Sequence, residues 1–309
     1  GSKTAKGRAI QNLVNIERDD KVKAFIFTQD LKDQDYIKSH NLIMVTKKGQ
    51  VKKTSLEKYS KPRVNGVAGI TIKDGDELMS AQLTNGESQI ILAVKSGKLV
   101  RFEETKTRPM GRTASGVRGI TLKDDTDEVI GMVTVDKNDI NDTQVLVVTE
   151  NGYGKTTKLV DEDGEDVYRI RTRCGKGVKT LNITEKTGKL ISISAVTDAD
   201  DLMIINKSGL TIRMAIEDLR VMGRATQGVK LINLKGKDSI AAVTKVMKDD
   251  VEEVVVDEDG NVVETEIIER VKPVLEVLED EGGEEEEDED DETEVDDDAE
   301  DLDESDDEE

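Results

Sequence analysis

Four stretches of this sequence gather cationic side chains around glycine. They read Lys58-Tyr59-Ser60-Lys61-Pro62-Arg63, Arg108-Pro109-Met110-Gly111-Arg112, Arg169-Ile170-Arg171-Thr172-Arg173-Cys174-Gly175-Lys176 and Arg220-Val221-Met222-Gly223-Arg224. Lys6 and Arg8 hold the matching place in a partial copy at the start of the sequence. Guanidinium and ammonium groups recurring at one place in a repeating chain form a track rather than a spot. Such a track suits a phosphate backbone, and the glycines let the polypeptide approach it closely. The candidate contacts are Lys6 and Arg8, then Lys61 and Arg63, then Arg108, Arg112 and Arg118. The third stretch supplies Arg169, Arg171, Arg173 and Lys176, and the fourth Arg224 with Lys230. With three Phe, four Tyr and no Trp, stacking of single-stranded bases has little to work with. The expected ligand is duplex DNA, held without base reading, with any preference coming from bendability.

Other chemistries find few residues. His40 is the only histidine and Cys174 the only cysteine, which excludes disulfide scaffolds and zinc sites. Cys174 lies among cations that can lower a thiol pKa, but a lone thiol fits a reducing cytoplasm just as well. Thr149 to Thr156 ends in Gly154-Lys155-Thr156 and brushes against the phosphate-loop pattern, yet Thr149 replaces the first glycine and no helix is expected to follow. Asp161-Glu162-Asp163-Gly164-Glu165-Asp166 has the composition of a calcium loop with its glycine misplaced, and reads as a solvated hairpin tip. No apolar run approaches the roughly 18 residues of a membrane span, and no signal peptide opens the sequence.

The elements that must carry the basic stretches are strands. Leu42–Val45, Ile90–Val94, Val145–Val148 and Leu202–Ile205 are apolar runs. Each leads into a turn at Gly49, Gly97, Gly152 or Gly209, followed by an alternating run, which is a hairpin signature. The second strands end in cations: Lys52, Lys53, Arg101, Lys155, Lys158 and Arg213, which the pattern adds to the basic surface. After each basic stretch come Gly66-Val67, Gly116-Val117, Gly177-Val178 and Gly228-Val229, opening third strands at Val67–Ile72, Val117–Leu122, Val178–Ile183 and Val229–Leu234. Fourth strands are expected at Leu78–Leu83, Val129–Val135, Leu190–Val196 and Ser239–Lys245. Four short strands per unit of about 50–60 residues, four times over, predict an all-β, propeller-like stack of blades. Gln11–Ile16 and Val22–Thr28 match only the third and fourth strands of a further unit. The expected division is therefore half a blade at 1–30, four blades at 31–247 and a tail at 248–309. Helix is nearly absent from the pattern, with room for one turn at Ile216–Leu219.

The net charge of −23 hides this organisation. Of 68 acidic residues 35 lie from Asp249 onward, with only Arg270 and Lys272 opposing them, a net of −33. Residues 1–248 keep 33 acidic and 43 basic side chains, a net of +10. From Asp280 the sequence is almost wholly Asp and Glu, a composition that cannot bury enough apolar surface to order itself. Such a tail serves solubility or competes for the basic surface. Ahead of it Val254-Val255-Val256 and Val262-Val263 flank Asp259-Gly260, a hairpin signal.

Gly111-Arg112-Thr113-Ala114-Ser115-Gly116-Val117-Arg118-Gly119-Ile120, Glu150-Asn151-Gly152-Tyr153-Gly154-Lys155-Thr156 and Gly223-Arg224-Ala225-Thr226-Gln227-Gly228-Val229 closely resemble the C-terminal domain of DNA gyrase A. The resemblance covers residues 1 to about 247, and the acidic tail fits it. It implies a six-bladed β-pinwheel, a disc whose blades exchange strands with their neighbours and whose basic rim bends DNA. It further implies service within a type II topoisomerase that couples ATP hydrolysis to negative supercoiling, in the bacterial cytoplasm and nucleoid. The implied partners are duplex DNA, the rest of gyrase A, and gyrase B in an A2B2 assembly. ATP and magnesium would be bound elsewhere in that assembly, with no cofactor in this segment. The family's Gln-Arg-Arg-Gly-Gly-Lys-Gly box is missing, and alignment places it upstream of Gly1. The domain bearing the catalytic tyrosine is also missing, so no DNA cleavage is expected of this segment by itself. Two alternatives are the equivalent domain of topoisomerase IV, which serves decatenation, and a propeller scaffold for protein partners. The scaffold would need exposed aromatic or apolar hot spots.

Overall fold

A computed structural model describes residues 20–63, 65–236 and 238–247, together with the strand backbones of 253–256 and 262–266. The apolar runs form first strands and the alternating runs second strands. They are β1 (Asn41–Thr46) with β2 (Gln50–Ser55), β4 (Gln89–Val94) with β5 (Lys98–Glu103), β8 (Gln144–Thr149) with β9 (Tyr153–Lys158), and β12 (Asp200–Asn206) with β13 (Thr211–Ala215). Fourth strands are β3 (Leu78–Thr84), β7 (Val129–Val135), β11 (Leu190–Val196) and β15 (Ile240–Met247), each antiparallel to the first strand of its own unit.

The strand that completes each sheet comes from the next unit. β6 (Val117–Arg118) pairs with β2, β10 (Val178–Lys179) with β5, and β14 (Val229–Lys230) with β9. The sheet orders are β3-β1-β2-β6, β10-β5-β4-β7 and β11-β8-β9-β14, followed by the three-stranded β13-β12-β15. Fourth strands sit side by side at the hub: the Gln82 amide of β3 donates to Met132 O (2.9 Å) and accepts from Thr134 N (3.0 Å) of β7. The exchanged strands lie on the opposite, outer edge.

Three expectations need correction. The third strands are two residues long, not six. After those two residues the chain bends around the turn glycine of its neighbour, where Gly119 N donates to Gly49 O, Thr180 N to Gly97 O and Leu231 N to Gly152 O. Ile120, Leu181 and Leu231 are thereby driven into the core instead of lying along a strand. Gly97 shows the constraint, because a Cβ there would stand 2.6 Å from Ile183 Cγ1 and 2.7 Å from Leu181 O, at φ +83°. Second, Val67–Ile72 and Val22–Thr28 are not strands. A third strand needs the second strand of a preceding unit, and a fourth strand needs the first strand of its own. Neither segment has such a neighbour among the described residues, and Phe25 and Phe27 remain 82% and 86% exposed. Third, the last of the four blades has three strands among the described residues, which hold no following unit to donate a fourth.

Packing follows the two-residue period. Ile90, Leu92 and Val94 face the first sheet, whereas Ile91 and Ala93 face the third. Likewise Val145 and Val147 turn to the second sheet, and Leu146 and Val148 to the fourth. Each inner sheet is thus buried on both faces, and every such Val, Leu or Ile contributes about 1.5–3 kcal/mol. The expected turn at Ile216–Leu219 is the 3-10 turn Ile216–Asp218, matched by others at Glu104–Lys106 and Leu56–Tyr59. A short helix, α1 (Gln34–Ser39), was not expected from the pattern; the Asp33 side chain caps it by accepting from Asp35 N and Tyr36 N. β16 (Glu253–Val256) and β17 (Val262–Glu266) pair as the expected hairpin, while its turn and the acidic run from Asp280 lie outside the described residues.

Candidate nucleic-acid interface

The last three basic stretches run along the outer edge of the preceding blade. In the second, third and fourth units the chain beyond the second strand forms a parallel bridge to the neighbouring second strand: Pro109 to Lys53, Ile170 to Arg101 and Val221 to Thr156. Met110 N donates to Lys53 O (2.7 Å), Arg171 N to Arg101 O (2.9 Å) and Met222 N to Thr156 O (2.9 Å). The chain then arches and reverses at Gly116, Gly177 or Gly228, all with positive φ, into β6, β10 or β14. A Cβ on any of these three would lie 2.6 to 2.7 Å from a carbonyl oxygen of the neighbouring second strand. Only glycine makes that return.

Each arch is also tied to the blade before it. Thr71 N donates to Ala114 O (3.2 Å), Thr121 N to Gly175 O (3.0 Å) and Asn182 N to Thr226 O (3.0 Å). The arches therefore form one hydrogen-bonded band along the rim, and equivalent residues occupy equivalent places. Arg108, Arg169 and Arg220 stand just before the bridge and are exposed. Arg112, Arg173 and Arg224 follow it and are half-buried. Arg118, Lys179 and Lys230 share the second position of the exchanged strands, opposite Gln50, Lys98 and Tyr153.

Lys61, Arg63 and Lys176 are exposed, and Arg171 is half-buried on the band. Arg173 donates through Nε to Lys106 O (2.6 Å) and through Nη1 to Arg118 O (3.3 Å), so part of its guanidinium joins two arches. Lys6 and Arg8 lie outside the described residues. Arg220 and Lys179 join the band although the composition of the basic stretches does not single them out as contacts. Counting from the reversal glycine finds both, at the eighth residue before it and the second after it.

Four of the six second-strand cations are a correction, whereas Lys158 is exposed as expected and Arg213 is half-buried, its Nε donating to Asp201 Oδ2 (2.7 Å). Lys52 and Lys155 are 0% exposed, Arg101 2% and Lys53 6%, so they add nothing to the outer surface. Their place at the strand ends suggests a solvent face, but the following unit covers all four and accepts their hydrogen bonds. Arg101 is a buried hub: Nε donates to Gln89 Oε1 (2.7 Å), and Nη1 to Asp166 Oδ1 (2.8 Å), Tyr168 O (3.0 Å) and Leu159 O (3.2 Å). Burial lowers its pKa, and the Asp166 carboxylate opposes that. Burial lowers Lys53 as well, with Glu104 opposing at 3.8 Å. Asp166 anchors the acidic hairpin tip, whose residues 161–166 are exposed as expected. Lys155, the lysine of the phosphate-loop look-alike, points into the protein, and its strand leads into no helix. His40 Nδ1 is 2.8 Å from Tyr36 O, and its ring packs at a tilt against Tyr36, with centroids 4.2 Å apart.

Four-stranded blades completed by a neighbour's strand, with cationic arches riding on the exchange, define a propeller-like β-pinwheel. The family model described as "DNA gyrase C-terminal domain, beta-propeller" matches residues 40–85, 89–136, 143–197 and 200–247, and the chain belongs to that family. DNA gyrase A of Staphylococcus aureus strain MRSA252 is 40% identical over 252 residues, 82% of this chain and 27% of the relative. The protein of the same description from strain NCTC 8325 is 40% identical over 248 residues, 80% and 26%. The chain spans about a quarter of the length of these relatives. Among solved structures, the C-terminal domain of DNA topoisomerase IV superposes with a TM-score of 0.68 at 24% identity, covering 78% of this chain and 71% of that one. A DNA gyrase A C-terminal domain gives 0.64 at 22%, covering 79% and 76%. Both show the fold. Among the described residues no helix is long and apolar enough to cross a membrane.

Proposed function

We propose that this chain binds duplex DNA along its rim and bends it around the arc of blades, as the DNA-wrapping part of a type II topoisomerase. The observation that carries the reading is the band itself: arginines at one register on consecutive arches, each arch hydrogen-bonded to the blade before it. Cations repeated at one register suit contacts at intervals along a continuous phosphate backbone, and a curved track favours bent duplex. Within the holoenzyme the wrapped segment would be presented for strand passage, so that supercoiling by gyrase A and gyrase B together depends on this rim. The acidic tail, with a net of −33, is its competitor. The pinwheel surface also fits the topoisomerase IV equivalent, and the similarity to gyrase A at 40% identity favours gyrase.

The test is binding of a 40-bp duplex across a salt series. Each phosphate neutralised contributes about 0.9 to the slope of log K against log salt. A steep slope supports the reading, and an affinity that barely moves between low and high salt overturns it. Recovery of protein partners after nuclease treatment, with no DNA affinity, would favour the scaffold instead.

A further inference from the structure

The third residue after the turn glycine is a buried lysine in two of the four repeats: Lys52 after Gly49 and Lys155 after Gly152. Both ammonium groups reach backbone carbonyls in the arch of the following unit. Lys155 Nζ donates to Gly223 O, to Arg224 O (2.8 Å) and to Thr226 Oγ1 (3.0 Å), three acceptors for three protons. Lys52 Nζ donates to Arg112 O and to Gly69 O (2.7 Å), the latter also accepting from the Tyr59 hydroxyl (3.1 Å). The carbonyls of Arg112 and Arg224, the equivalent arginines of two arches, are thus both held from inside.

We propose that Lys52 and Lys155 are positioning residues for the DNA contact: buried ammonium groups that fix the Gly-Arg arches so that their arginines are presented along the rim. The proposal rests on the duplex-binding reading above. It assigns two lysines of a DNA-binding surface to the inside of the protein, where they touch no phosphate.

The repeats contain their own control. At the second joint the equivalent residue is Val100, and the facing arch has Thr172 where the others have Gly111 and Gly223. There the arch is held by its own residues reaching back to the preceding unit. Arg173 turns back to donate to Lys106 O and Arg118 O, and Cys174 adopts φ +72° with its N–H on Gly119 O (3.0 Å). Lysine and Gly-Arg therefore occur together, and where the lysine is missing the arch is fastened through its own arginine to carbonyls of the preceding unit. Burial pushes the pKa of the Lys52 ammonium down to about 8, with the nearby Arg112 charge adding to the effect. A cation is kept at that cost because the arch needs its donors.

The experiment has two arms, both on the whole chain. Amide hydrogen exchange without DNA compares the wild type with Lys52→Met and Lys155→Met. Exchange in 111–116 or 223–228, respectively, should accelerate by about tenfold while β4 and β8 are unchanged. Duplex binding over a salt series should then show affinity reduced about three- to tenfold, with a slope within about 0.3 of the wild type. Unchanged exchange overturns the proposal. A slope lower by about 0.9 with unchanged exchange identifies the lysines as direct phosphate contacts. Faster exchange with unchanged affinity leaves a structural role only, and also overturns it. If the wild type does not bind duplex, the DNA reading falls, and the exchange arm still decides whether the lysines hold the arches. Should the Met variants lose protection everywhere, Val100→Lys with Thr172→Gly decides: installing the pair should slow exchange of 173–176, and no slowing overturns the clamp.

Discussion

Arg108, Arg169 and Arg220 offer the sharpest test of a track, because the structure puts them at one place on three consecutive arches. All three are exposed and stand immediately before the bridging residue. If each meets one phosphate, replacing one by Ala lowers the salt slope by about 0.9, and replacing all three lowers it by about 2.7. At 0.1 M salt that is about 1.2 kcal/mol for each and about 3.7 kcal/mol for the set, a loss of about 500-fold that shrinks toward nothing near 1 M. The assay is fluorescence-anisotropy titration of a labelled 40-bp duplex at five or six salt concentrations. The matched control is Lys48→Ala, Lys186→Ala and Lys207→Ala, which removes the same charge from exposed lysines at or beside the β-turns. The control should keep the wild-type slope, and melting temperatures of all variants should agree within a degree or two, since exposed side chains are being shortened. The reasoning fails if the control lowers the slope as much as the rim set does, because charge alone would then account for binding. It fails equally if the triple variant changes the slope no more than one single does, because the arches would not share one ligand.

Removal of residues 249–309 should tighten duplex binding in about 50 mM salt, where the Debye length is roughly 14 Å, with the advantage fading as salt rises; equal affinity at low salt would reduce the tail to a solubility device. Gly97→Ala should cost about 3 kcal/mol and lower the melting temperature by about 6–12 °C, combining positive φ with the 2.6 Å and 2.7 Å approaches of Ile183 and Leu181. Gly209→Ala, at φ +90° with nothing within 4 Å of the new Cβ, should cost only about 1 kcal/mol. Equal losses at the two turns would show that the close approach in the inner blades carries no energy. Hydrogen bonds from Lys23 and Lys47 hold the Glu77 carboxyl down to about 2 from its ordinary 4.5. Its contribution is therefore fully present above pH 4.5 and lost as pH falls toward 2, so Glu77→Gln should flatten that part of an acid-unfolding curve. An unchanged acid limb in the variant would refute the assignment.

The legible part of this fold was the part written in local pattern. β11 spans the residues that apolar alternation marks, and β7 does the same, because a fourth strand and the first strand of its unit carry complementary periodicity. The turn glycines were legible for a similar reason: a tight turn with positive φ restricts composition. Arg108, Arg112 and Arg118 were legible as cations of one loop, and counting from Gly116 would have extended the same register to Arg220 and Lys179.

Third strands were expected to be long because Val178–Ile183 alternates well, yet only Val178 and Lys179 pair. Their partners, Leu99 and Lys98, lie some eighty residues earlier, and the bend around Gly97 that ends the pairing is a contact between units. Likewise, the sequence by itself determined the repeat, three of the four strands of each unit, and the separation of a +10 body from a −33 tail, since each depends on neighbours in the chain. Only the tertiary structure decided which cations face outward. Lys52, Arg101 and Lys155 alternate as surface residues do, but alternation fixes only which side chains share a face. What covers each face is contributed by the following unit: its arch takes up Lys52 and Lys155, and Leu159, Asp166 and Tyr168 take up Arg101, while Arg108, Arg169 and Arg220 stay in water.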